Sequence, residues 1–81
     1  MPKEVEELLN RAKNTYDRCR RYSGQHIHGV NGFAGRLLNG IFNVEAVYKD
    51  DRPEFVELRD EFVSHLNEWL IDGLKEFGEM I

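Results

Sequence analysis

The chain has 81 residues, a net charge of −4 and a single cysteine. That length allows one small domain with a modest core and leaves no room for a separate catalytic or regulatory unit. One cysteine excludes an internal disulfide and fits a reducing, intracellular compartment; the acidic balance disfavours duplex nucleic acid, whose binding needs many phosphates neutralised.

The opening MPKEVEELLNR is charged from its third residue and lacks the apolar run of a signal peptide. No segment approaches the roughly 20 apolar residues that span a bilayer, so a cytoplasmic protein free of membrane is expected. The first predicted element is a helix over about residues 3–22, entered after Pro2, a residue tolerated at a helix start. Its apolar stripe is Val5, Leu8, Leu9, Ala12, Tyr16 and Cys19, at spacings of three and four that gather on one face. The end of this helix is basic, with Arg18, Arg20 and Arg21 close to Tyr22, whereas residues 50–81 are mostly acidic. An anion is therefore drawn to the first half.

Ser23-Gly24 stops the first helix, and the stretch to about residue 30 reads as an ordered Gly/His loop in which QHIHGV, residues 25–30, has the alternation of a short extended piece. The second helix is expected over about 31–49, with Phe33, Leu37, Leu38, Ile41, Phe42, Val44 and Val47 covering more than half its circumference. Asp51 and Pro53 mark a third helix over about 53–78, carrying Phe55, Leu58, Phe62, Leu66, Trp69, Leu70, Leu74 and Phe77. The fold class is all-α: a compact three-helix protein. The surplus of apolar surface on the second helix, extended on the third by Val56 and Ile71, with Gly73 as a point of close helix approach, predicts a homo-oligomer.

Candidate chemistry concentrates between residues 18 and 43. His26 and His28, one residue apart, would point the same way from an extended segment and share a metal with Cys19 or His65, but structural zinc wants four ligands, usually with more cysteines, so loop histidines are the plainer reading. Cys19 lies on the apolar stripe of the first helix, where a small buried hydrophobe is the default rather than a nucleophile. GVNGFAG spaces its glycines three apart, which is neither a dinucleotide nor a P-loop signature. No catalytic set appears, and no cofactor is implied.

Gly32, Gly35 and Gly40 each cost about 1 kcal/mol relative to Ala in a helix, a cost accepted where a ligand or another backbone comes close. Gly32, Arg36, Asn39 and Asn43 share one polar stripe bordered by Gly35, the free N–H groups at the start of the second helix favour an anion, and Tyr22 and Phe33 offer faces for a flat ring. The expected site is therefore Arg18, Arg20, Arg21, Tyr22, His26, His28, Gly32, Phe33, Arg36, Asn39 and Asn43, taking an anionic, nucleotide-like small molecule for sequestration or sensing without catalysis. The alternative is a small adaptor or inhibitor working by protein contact, in the style of virus-encoded accessory proteins; a metal-dependent hydrolase built on the histidines ranks third. Two charges interrupt the apolar arcs, Glu45 and Arg59, and either pair with each other or reach the rim.

Overall fold

The structure, a computed structural model, describes residues 1–22 and 28–77, with side chains at 1–19 and 32–75. It consists of α1 (Lys3–Tyr22), α2 (His28–Lys49) and α3 (Pro53–Phe77), and among the described residues there is no strand. The Pro2 carbonyl accepts the first bonds of α1, from the N–H groups of Val5 and Glu6 at 3.1 Å, while Glu4 and Glu6 offset the positive end of the helix dipole. The turn into α3 is closed by the Asp50 carboxylate, which accepts the Arg52 backbone N–H and its guanidinium, each at 2.9 Å. Those bonds hold the Asp50 pKa below the usual carboxylate range. Pro53 then opens α3, the first-turn position where its missing N–H costs nothing.

α2 is the middle helix. It carries α1 on one flank and α3 on the other, and α1 and α3 meet only sparsely, in a body of 42 × 18 × 16 Å. Its sequence explains this place: Phe33, Ala34, Leu37, Ile41, Val44 and Val47 are buried, which no helix with a single neighbour requires. From α1 come Val5, Leu8, Leu9, Ala12 and Cys19, and from α3 Leu66 and Leu70, with Tyr16, Tyr48, Phe62, Val63, Trp69 and Leu74 packed around them. Thr15 is buried as well, at a helical position between Ala12 and Cys19, and its hydroxyl donates to the Arg11 carbonyl at 2.9 Å. Cys19 is the buried hydrophobe that its position implies. Burial pushes its thiol pKa up, against the smaller lowering effect of Arg18, so the thiolate that a nucleophile needs is disfavoured.

Three expectations are corrected. α2 begins at His28, so His28, Gly29 and Val30 are helical rather than part of an extended piece. The physical reason is that Val30, Phe33, Ala34 and Leu37 continue the helical spacing, and about 1 kcal/mol per glycine does not break a hydrogen-bonded ladder once it has begun. The rest of the expected loop, including His26, lies outside the described residues.

Glu45 and Arg59 do not pair. Glu45 turns to the α1 flank and meets Lys13 Nζ at 3.2 Å. Arg59 instead closes the C-terminal end of α2, donating to the Val47 carbonyl at 2.8 Å, the Asp50 carbonyl at 3.1 Å and Asp51 Oδ1 at 3.1 Å, with its guanidinium 4.7 Å from the centre of the Tyr48 ring. The unpaired carbonyls at a helix end attract a cation, and that field outweighs a carboxylate on the far flank.

The glycines divide. Gly40 faces Leu66, whose Cδ1 would lie 3.0 Å from an added Cβ, and Gly73 faces the ring of Phe33, so the close approach expected of another helix at Gly73 is made by α2 of the same chain. Gly32 and Gly35 have open space, with nothing within 4 Å. Gly35→Ala is therefore expected to stabilise the fold by about 0.5–1 kcal/mol. In thermal unfolding followed by circular dichroism this is a Tm rise of roughly 4–8 °C per kcal/mol for a domain of this size. An unchanged or lower Tm would mean that an assembly or ligand already occupies that space.

Candidate functional site

The polar stripe of α2 faces a groove. Arg36, Asn39, Gly40 and Asn43 form one wall, and His65, Leu66, Glu68, Trp69 and Asp72 of α3 form the other, enclosing about 380 Å³. Small-molecule sites range over roughly 300–1,000 Å³, so the space suits a ligand of modest size. Antiparallel packing builds it: Gly40 lets Leu66 close the floor, and the longer side chains on either side rise as walls.

The two aromatic and cationic groups in the wall are held in order. Trp69 Nε1–H donates to the Phe33 carbonyl at 3.2 Å, and the Arg36 guanidinium lies 4.5 Å from the centre of the Trp69 ring. Cation–π stacking on an indole face fixes the plane of the guanidinium and leaves its N–H edge for an acceptor. The remaining polar groups are two carboxamides, Asn39 and Asn43, an exposed imidazole, His65, and the carboxylates of Glu68 and Asp72. The groove is mixed in sign. It presents a donor fork for an anion, carboxylates for N–H donors, and amides that do either.

Of the residues expected at the site, Arg36, Asn39 and Asn43 are brought together here. Gly32 lies one turn before Arg36 on the same stripe, open to its surroundings. Two expectations fail. Phe33 is 2% exposed, its ring tilted 40° against Trp69 at a centroid distance of 5.9 Å, so it is a core residue and not a stacking face for a ligand. Arg18 does not reach the groove, because α1 packs on the opposite flank of α2 and contributes nothing to the lining. Arg20, Arg21 and Tyr22 close α1 and His28 opens α2, but their side chains, like all of His26, lie outside the described residues.

Sequence reading missed the α3 wall. A signal was present: His65, Glu68 and Asp72 fall at offsets of three and four beside Trp69, a polar strip parallel to the apolar one. Among the described residues no three His, Cys, Asp or Glu side chains are grouped closely enough to hold a metal ion. Nor, among them, is any helix long and apolar enough to cross a membrane. Comparison of the chain with protein-family models, with curated proteins and with solved structures finds no match.

Proposed function

We propose that the protein captures a nucleotide-like anion in the α2–α3 groove, without chemistry, as a sequestering or sensing module. The observation that carries this reading is the convergence of Arg36, Asn39 and Asn43 on one cleft with Trp69. Arg36 takes the phosphate, since a guanidinium gives it two parallel charge-assisted hydrogen bonds. Asn39 and Asn43 suit the edge of a base, because a carboxamide matches the paired donor and acceptor of adenine. Glu68 and Asp72 accept exocyclic N–H groups and disfavour a ligand that is anionic throughout.

The test is thermal denaturation with adenosine and guanosine monophosphates and their cyclic forms. A ligand at 100 times its Kd adds about 2.7 kcal/mol to the stability. Arg36→Ala is expected to lower affinity by about 10- to 100-fold, the loss of a charge-assisted pair, while His26→Ala and His28→Ala keep the fold. Silence toward every nucleotide, or full affinity in Arg36→Ala, would defeat the proposal.

A second reading, an adaptor or inhibitor that works by contact with a protein partner, is favoured by Phe42, which is 58% exposed on α2. Val56 and Ile71 are exposed too, but they stand 15 positions apart on α3, about 22 Å along the helix, so Phe42 is the residue that supports this reading. Sedimentation equilibrium of the wild type and Phe42→Ser tests the homo-oligomer expected of the capturing protein: assembly that Phe42→Ser abolishes is the expected result, and a 9.5 kDa monomer in both removes self-association.

A further inference from the structure

Gly73 faces the core although it is the one residue type with nothing to bury there. A Cβ built on it would fall inside the ring of Phe33, meeting Cε2, Cζ and Cδ2. That ring is 2% exposed and cannot swing out to water. Phe33 in turn touches Trp69 twice, ring against ring at 5.9 Å and through its own carbonyl, which accepts the indole N–H at 3.2 Å. The outer face of Trp69 carries the Arg36 guanidinium at 4.5 Å. A continuous line of contacts thus runs from a buried backbone position of α3, through α2 and back to α3, and ends on the cation in the groove wall.

We propose that Gly73 is a positioning residue for Arg36, acting through Phe33 and Trp69. Its missing side chain lets Phe33 seat against α3, the seated Phe33 sets the position of the indole, and the indole sets where the guanidinium waits. Gly40 differs in degree: a Cβ there comes no nearer than 3.0 Å to its neighbour, Leu66 Cδ1, a shift of a few tenths of an ångström rather than displacement of a ring. At Gly73 the obstacle is a rigid aromatic ring enclosed by core, so an added methyl must displace the ring, and with it the indole or the early turns of α2.

The proposal rests on the groove being the binding site, but its test needs no ligand. Trp69 is the only tryptophan in the chain, so its fluorescence reads this line of contacts directly. In the full-length protein, acrylamide quenching of Trp69 is measured beside the far-ultraviolet dichroism that reports folding. Removing the guanidinium in Arg36→Ala is expected to raise the quenching constant roughly twofold, because the stacked cation shields the indole face. Gly73→Ala is expected to raise it similarly with helicity retained, and Gly35→Ala, the same substitution in open space, to leave it at the wild-type value. Adding Phe33→Leu to Gly73→Ala removes the two nearest ring carbons and is expected to bring quenching back to that of Phe33→Leu alone. A folded Gly73→Ala protein with wild-type quenching would overturn the proposal. Should Gly73→Ala not fold, the double variant Gly73→Ala/Phe33→Leu decides: with the clashing end of the ring gone the helical dichroism must return, and a double variant that stays unfolded overturns the proposal equally. A protein that ignores nucleotides while these quenching shifts occur unseats the proposed function and leaves the positioning line intact.

Discussion

Leu37→Ala is expected to destabilise the protein by about 2–5 kcal/mol, the cost of a large cavity left by a buried leucine. Leu37 has no exposed surface and sits in the helix that both others pack against, so no neighbour collapses into the space without moving a whole helix. A domain this short buries a modest fraction of its surface, and stabilities of small proteins are rarely above 5–15 kcal/mol, so the substitution takes a large share of the total. Urea unfolding followed at 222 nm measures it. Phe42→Ala on the same helix, removing a more exposed side chain, is expected to stay within about 0.5 kcal/mol of wild type. Equal losses at the two positions would mean that an assembly interface, rather than the core described here, supplies the stability of α2.

The second large effect is at Arg59. Arg59→Ala is expected to cost about 1.5–3 kcal/mol, the range for hydrogen bonds made by a charged group. Its value lies in the carbonyls and not in the ion pair, because the Asp51 side chain is 97% exposed while that of Arg59 is 20% exposed. An exposed carboxylate is worth little and is screened by salt, whereas the Val47 and Asp50 carbonyls belong to the end of a helix where partners are scarce. Asp51→Asn is thus expected to be nearly silent, and the Arg59→Ala loss to persist in 0.5 M salt. If salt or Asp51→Asn reproduces most of the loss, the ion pair is the working contact and the cap is incidental.

Arg59 also shows what a linear pattern conveys and what it withholds. The spacing of apolar residues identifies which side of each helix is buried, and so it located all three helices and most of their cores. It carries no information on how one helix is rotated relative to the next. Glu45 and Arg59 each interrupt an apolar arc, but only the packed structure places one on the α1 flank and the other at the end of α2. The same gap explains the site. Arg36, Asn39 and Asn43 were legible as one stripe because they share one helix, whereas their partnership with His65, Glu68, Trp69 and Asp72 depends on α3 lying on that side of α2. Phe33 was misread for a related reason: an aromatic beside a glycine-rich run suggests an exposed ring, and the cleft that accepts it is a missing side chain 40 residues away at Gly73. Thr15 was passed over because its type favours the surface, though its position does not.

The sparse contact between α1 and α3 leaves α2 as the element through which most coupling between the two flanking helices passes. Substitutions on the α1 flank, such as at Lys13 or Glu45, have no common partner with Arg36 or Asp72, and effects at sites without shared partners sum almost independently. The outer surface of α1 is therefore free to change in charge and shape without retuning the groove.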